Sequence, residues 1–279
     1  MFEKAGPDKI IEEIRRRKMR LFAGGSKSID DIKPLPNRRV LDDAIYHGER
    51  ILVGDCPGAD AAIQKYLAER EYCNVTVYAS GKEARNNIGG WDVELVEYDP
   101  ELTGYDFYRQ KDIQMELDCD CAVMAWDGRS RGTRQNIIEL MALGKRVDNM
   151  AWKDQSEEWY YLDGTVDELF LMDYDYYSNP PAKPVSLWLD DSRPAPEGYI
   201  RCRSVLETEL YIACAAENGS EITVIDCDHD LGIYSRLGGD GIKLLDRLAE
   251  RGTLYPVALH TMNPVGRDNM QRIIDKYWK

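Results

Sequence analysis

Short apolar runs that stop abruptly at polar turns recur along this chain, and a helix-like segment follows most of them. The runs fall at 19–22, 50–53, 75–78, 121–126, 185–189, 222–225 and 256–259. They are too short for helices, and they do not alternate with polar residues as a strand with one wet face would. They therefore predict strands buried on both faces, the signature of a parallel sheet. Helical segments are expected over 10–20, 38–47, 59–69, 107–117, from the 127–133 turn to about 143, and over 205–217, 240–251 and 268–277. Parallel neighbours need crossovers, and strand–turn–helix repetition supplies them. The predicted class is α/β, as two doubly wound, mostly parallel sheets. Residues 81–104, rich in Gly and Asn, read as an irregular excursion, and 199–203 as a short extra strand.

A boundary falls at Asn179-Pro180-Pro181-Ala182-Lys183-Pro184, where prolines disfavour helix and deny ladder donors. Three segments are expected: a domain over 1–150, an acidic aromatic connector with a Pro-rich linker over 151–184, and a domain over 185–279. The connector region is expected to add one last strand and a helix at 166–172. The charge supports this division. Net charge is −14, yet residues 148–182 hold one Lys against nine Asp/Glu, while 1–147 and 183–279 are each within three charges of balance. Near-balanced domains argue against a broad duplex-binding face, so no extended nucleic acid is expected as a partner. The run Arg15-Arg16-Arg17-Lys18 reads as a solvated helix face. No apolar stretch approaches the roughly 20 residues that span a bilayer, and the first residues lack an apolar signal core. Seven cysteines, an odd number without a Cys-x-x-Cys pair, suit reduced thiols. A cytoplasmic protein without a membrane partner is expected; a homo-oligomer is left open.

Loops just beyond the carboxyl ends of strands face the ligand crevice of an open α/β sheet. In the first domain those loops are Gly24-Gly25-Ser26, Gly54 to Asp60, and Gly128 to Thr133. Glycine lets backbone approach an oxyanion, and a following helix offers free N–H groups. Tight βα connections need the same residues, so no single turn decides the matter. The segments Phe22-Ala-Gly-Gly-Ser26, Ile51-Leu-Val-Gly-Asp-Cys-Pro-Gly-Ala-Asp60 and Ala125-Trp-Asp-Gly-Arg-Ser-Arg-Gly-Thr133 together resemble the SLOG superfamily of Rossmann-like nucleotide-binding domains over about 18–150. The resemblance implies a nucleotide-like ligand held by Gly25, Ser26, Gly58, Asp60, Gly132 and Thr133. Arg85 is added as a residue able to reach a phosphate or ribose. The family's phosphoribohydrolases carry Pro-Gly-Gly-x-Gly-Thr-x-x-Glu, but Asn136 stands here at the Glu position. An amide cannot move a proton as a carboxylate does, which points to binding rather than N-glycosidic cleavage.

In the second domain the strand ends are Leu189-Asp190-Asp191-Ser192-Arg193-Pro194, Asp226-Cys-Asp228-His229-Asp230-Leu-Gly232 and His260-Thr-Met-Asn263-Pro-Val-Gly266-Arg267-Asp-Asn269. At least four carboxylates, two imidazoles and an Arg thus converge on one rim, a set suited to divalent metals and phosphate. The three motifs resemble the cyclic-phosphate-processing receiver domains over about 185–279. By that resemblance Asp190, Asp191 and either Asp226 or Asp228 would hold a metal. Hard oxygens suit Mg²⁺ or Mn²⁺, and Asp226 is taken as the third ligand. Asp228, His229, Asp230 and His260 are the expected catalytic residues, either histidine serving as acid/base or as ligand of a softer metal. Arg193, Asn263 and Arg267 are expected to hold phosphoryl oxygens. Asp240 reads as a helix N-cap.

These expectations combine into recognition of a small nucleotide derivative and metal- or His-assisted hydrolysis of a cyclic or terminal phosphoester, lost on His260→Ala. The alternative is a non-enzymatic nucleotide sensor or sponge whose receiver-like domain binds metal. Action on RNA ends is less favoured, for want of a basic, aromatic-interleaved face.

Overall fold

The computed structural model describes residues 18–153, 159–162, 184–217 and 219–279. It divides into two compact units, one of Met1–Ile137 with Lys145–Gly164, the other of Ile138–Gly144 with Thr165–Lys279. The expected helix at 166–172, residues 10–17 of the one expected at 10–20, Arg15–Arg17 of the basic run and most of the proline linker lie outside the described residues; of the rest, Arg20 opens β1.

The strands of the first unit are β1 (Arg20–Gly25), β2 (Arg50–Gly54), β3 (Val75–Ser80), β4 (Asp92–Val96), β5 (Cys121–Trp126), β6 (Arg146–Lys153) and β7 (Trp159–Leu162). They form one sheet in the order β4-β3-β2-β1-β5-β6-β7. All neighbours are parallel except β6 and β7. The helices are α1 (Arg38–His47), α2 (Ala59–Ala68), α3 (Gly104–Asp118) and α4 (Arg131–Ala142), the last belonging to the first unit only as far as Ile137. Past their leading Arg20 and Arg50 the central strands β1 and β2 are apolar because both of their faces are covered. Leu21, Phe22 and Ala23 of β1 and Ile51, Leu52 and Val53 of β2 are each at most 1% exposed. Burying one such Leu, Ile or Phe side chain contributes about 1.5–3 kcal/mol. Helix α1 sets Leu41 and Ala44 against this core. It stops at Gly48, whose φ of 65° places it in the left-handed region and whose N–H closes on Ala44 and Ile45.

One expectation needs correction here. The excursion at 81–104 contains β4, an exposed edge strand paired with β3, as Val77 with Val93 and Ala79 with Leu95. Its residues Asp-Val-Glu-Leu-Val carry alternating polarity, but with four of five exposed they lack the apolar run that marked the other strands. The last strand expected from the connector region is β7, which pairs antiparallel with the end of β6 in the first unit's sheet.

The second unit holds β8 (Val185–Leu189), β9 (Tyr199–Cys202), α5 (Val205–Glu217), β10 (Ile222–Cys227), a 3-10 turn over Gly232–Arg236, α6 (Ile242–Arg251), β11 (Val257–Leu259) and α7 (Pro264–Tyr277). Its sheet runs β11-β10-β8-β9, all parallel. Counting within the domain, that order is second-first-third-fourth strand, the beginning of the flavodoxin-like winding. Leu187, Leu189, Ile225, Leu244, Leu245, Leu248 and Met270 close the core, each at most 1% exposed. Helix α7 starts four residues earlier than expected. Asn263 caps it by accepting from the Gly266 N–H at 2.9 Å, and Pro264 fits the first turn because no N–H is needed there. Asp240 is not the α6 cap: Gly241 is, and the Asp240 carboxylate instead accepts from Leu231 N–H at 3.3 Å. No helix among the described residues is long and apolar enough to cross a membrane. None of the seven cysteines, all among the described residues, is joined in a disulfide.

Candidate functional site

In the first unit β2 lies on one side of β1 and β5 on the other. The loops leaving β1 and β5 therefore turn away from each other and open a crevice at the carboxyl edge. A cleft of about 640 Å³ lies there. Gly24 and Gly25, Asp60, and Asp127, Ser130, Gly132 and Thr133 line it. Gly25 is obligatory: a Cβ there would stand 2.2 Å from the Ala125 carbonyl oxygen of the paired strand. Ser26 is fully buried beneath, its Oγ 3.2 Å from Thr133 Oγ1 and accepting the Asp127 N–H at 3.1 Å. Gly58 adopts φ 85° to pack on the Lys27 backbone, so its role is to seat that loop. Arg85 is turned to the protein: it pairs with Asp55 at 2.5 Å, and its guanidinium lies 3.9 Å over the Tyr108 ring. Burial opposes the Asp55 charge, but Arg85 outweighs it and holds that carboxyl below its ordinary range. Part of the third turn's donor set is already used, since Asp127 accepts from Arg129 and Ser130 N–H at 2.9 and 2.7 Å.

The other wall is α3, which the sequence reading did not single out. Tyr105, Tyr108, Arg109, Lys111, Asp112 and Met115 all reach the cleft. Arg109 is fully buried, bonded to Glu116 and to the Asn136 side-chain oxygen, each at 2.7 Å. Lys111 sits 2.6 Å from Asp112 and 3.9 Å from Asp60. Asp112 thus takes most of the ammonium, and burial pushes Asp60 up to about 6. The available signal was a fifteen-residue helix with charges on every face. In a buried crossover, some of those charges must point inward. Aromatic rings with an ammonium and carboxylates suit a ligand that joins a flat apolar part to polar or anionic groups.

In the second unit the reversal lies between β8 and β10, and the acidic motifs leave the sheet there. Asp190, beyond β8, is fully buried. Its Oδ1 accepts from the N–H groups of Ser192 and Arg193 and from the Ser192 hydroxyl; its Oδ2 accepts from Arg193 Nε at 2.5 Å and faces His260 Nε2 at 3.1 Å. Burial works against this charge, but the backbone donors and Arg193 prevail and hold Asp190 below the ordinary carboxylate range. Arg193 spans the pocket, its Nη2 donating to Asp228 Oδ2 at 2.6 Å and its Nη1 to the His260 carbonyl at 3.1 Å. His260 Nδ1 meets Asp226 Oδ1 at 2.8 Å. Its ring stacks on Trp188, with centroids 3.5 Å apart and planes 5° from parallel. A neutral imidazole donates through one nitrogen only, so His260 donates to both carboxylates only when it carries both protons.

His229 is held differently. Its Nδ1 lies 2.7 Å from Asp230 Oδ1, and the Asn263 amide donates to both Asp230 oxygens at 3.1 Å. His229 and Asn263 together hold Asp230 below its usual value. The imidazole lies against Gly266, where a Cβ would come within 2.4 Å of Cγ. Asn263 is thereby occupied as cap and as support for Asp230. Arg267 stands exposed on the first turn of α7, and the Asp191 carboxylate rests against Gly232.

Among the described residues, the carboxylate and imidazole donors that converge within 4.8 Å are Asp190, Asp228 and His260. The expected set was Asp190, Asp191 and Asp226. Their chemistry suits a divalent ion, but their ligand atoms are already engaged. Asp190 accepts four bonds, which fill the roughly four lone-pair sites of a carboxylate, and it faces His260 Nε2 besides; Arg193 holds the facing oxygens of Asp190 and Asp228. As arranged, the pocket presents no vacant ligand set to Mg²⁺ or Mn²⁺.

A family model described as the cyclic-phosphate processing Receiver domain matches residues 185–276. This receiver-like stretch contains all three acidic motifs, and the match ties it to cyclic-phosphate processing. No curated protein matches the chain.

Proposed function

We propose that the receiver-like domain hydrolyses a cyclic or terminal phosphoester of a nucleotide-like molecule, and that the first unit is a SLOG-like domain binding a nucleotide-like ligand in its cleft. The observation that carries the reading is the His229–Asp230 pair at the strand reversal of a domain matched to cyclic-phosphate processing. A carboxylate on Nδ1 fixes the tautomer and turns Nε2 into the working nitrogen, as in other acid/base histidines. In this mechanism His229 Nε2 takes a proton from water and the water oxygen attacks phosphorus. The ester P–O bond then breaks, and the leaving oxygen receives the proton back from His229. The outward edge of Arg193, with Arg267 beside the N-terminus of α7, meets the phosphoryl oxygens as charge builds on them. His260 holds Asp190 and Asp226 in register. Binding without glycosidic cleavage in the first unit is favoured by Asn136, whose amide is tied to Arg109.

The test is turnover by the full-length protein on 2′,3′-cyclic nucleotides, ADP-ribose 1″,2″-cyclic phosphate and cyclic dinucleotides. Hydrolysis of one class, lost in His229→Gln, supports the enzyme. No turnover on any of them, with a nucleotide retained by the wild type and released by a cleft variant, makes the protein a sensor or sponge.

A further inference from the structure

We propose that Arg193 is the resident cation of the receiver-like pocket, occupying the place of a divalent ion, so that the pocket works without one. The inference rests on the hydrolase reading for its consequence, but on the geometry of the pocket for its substance.

Three carboxylates, Asp190, Asp226 and Asp228, and the two histidines crowd one strand edge, with Asp190 fully buried. Buried anions at such spacing require a neutralising cation, or they protonate. A divalent ion is one solution. A guanidinium is another, because its planar fork presents several N–H groups at fixed angles and stays charged. Arg193 uses three of its nitrogens inward: Nε on Asp190, Nη2 on Asp228 and Nη1 on the His260 carbonyl. One side chain thus ties together the loops after β8, β10 and β11, which is what a shared metal would do. The turn that delivers it is itself held by Asp190, through the backbone N–H groups of Ser192 and Arg193. The guanidinium is therefore positioned by the carboxylate it neutralises. A side chain 36% exposed still has an edge facing the pocket mouth, where remaining N–H groups can meet a phosphoryl oxygen. Arg193 is in this sense a positioning residue for the acidic loops.

The deciding measurement needs no substrate. Full-length protein is titrated with Mn²⁺ alone, and free Mn²⁺ is followed by electron paramagnetic resonance. The wild type is expected to take up no stoichiometric Mn²⁺ at millimolar concentration. Arg193→Ala vacates the bridge and is expected to gain one Mn²⁺ site, which adding Asp228→Asn removes. One bound Mn²⁺ in the wild type, lost on Asp228→Asn, overturns the proposal. So does a folded Arg193→Ala variant that gains no site. If Arg193→Ala does not fold, the wild-type and Asp228→Asn titrations decide alone. Turnover unchanged by EDTA is the matching result with substrate. Failure to hydrolyse any ester would sink the hydrolase reading while leaving the Mn²⁺ result to judge Arg193.

Discussion

At the residue scale, the two histidines divide the work by what their nitrogens face. His260 has a carboxylate on each side and a Trp188 ring against its plane. His229 has a carboxylate on Nδ1 alone. Replacing His229 with Gln keeps the shape and a donor but removes the proton carrier, and kcat is expected to fall about 10²–10⁴-fold. Steady-state kinetics on the responsive ester checks this; an unchanged kcat would move the acid/base role elsewhere. In the other unit Asp60 offers a pH test. Its pKa is 3.8 in an unfolded reference and about 6 in the fold. Between those values the folded state holds the additional proton, so stability declines as pH climbs through that window and then levels off. Asp60→Asn is expected to flatten that dependence. Melting temperatures of both proteins across the window would show it, and parallel curves would sink the assignment.

Among elements, α7 joins stability to the site. Asn263 caps the helix and holds Asp230 with the same side chain. Asn263→Ala is expected to cost about 1 kcal/mol through the lost cap. It should also lower kcat, because Asp230 then loses one of its two supports. Denaturant unfolding and kinetics on the same variant separate the two effects; unaltered kcat would mean that Asp230 needs only His229. Helix α3 has the complementary problem. Its Arg109, Lys111 and Glu116 are ionisable side chains buried in the fold, and burial pushes the Glu116 carboxyl up to about 7. Such residues are retained at a desolvation cost that a hydrophobic stripe would avoid, and perturbed ionisable groups of this kind concentrate at functional sites.

For the whole molecule, each compact unit carries its cluster at its own strand reversal. The units are accordingly expected to lose function separately. Lys111→Met keeps the bulk of the side chain and removes the ammonium from the cleft. It should weaken nucleotide binding in the full-length protein by at least about tenfold, the loss of a charge-assisted bond. Ester turnover by the receiver-like domain should be unchanged. Isothermal titration with a nucleotide panel and the ester assay on the same preparation check both halves. A matching loss of turnover would show that one ligand serves both units.

The strands and their polar ends were legible because a strand buried on both faces must be apolar and must end where the polarity does. The runs at 121–126 and 185–189 coincide with β5 and β8, and the segments at 38–47 and 205–217 with α1 and α5. Edge strand β4 was not legible, since a strand with four of five residues exposed carries no apolar run. The residue types of the acidic rim were likewise readable, because loops after parallel strands must gather at one sheet edge. Which atoms meet was not. Whether Asp226 or Asp228 faces Arg193, which histidine is enclosed, and that α3 turns Lys111 inward depend on strand order and side-chain direction. Those are settled by packing between residues as far as seventy positions apart, as for Asp190 and His260. The local pattern of the chain determined the sheets and their chemistry-bearing ends. Only the tertiary structure decided the partners, because a carboxylate's charge, its neighbour and its exposure are properties of the assembled fold.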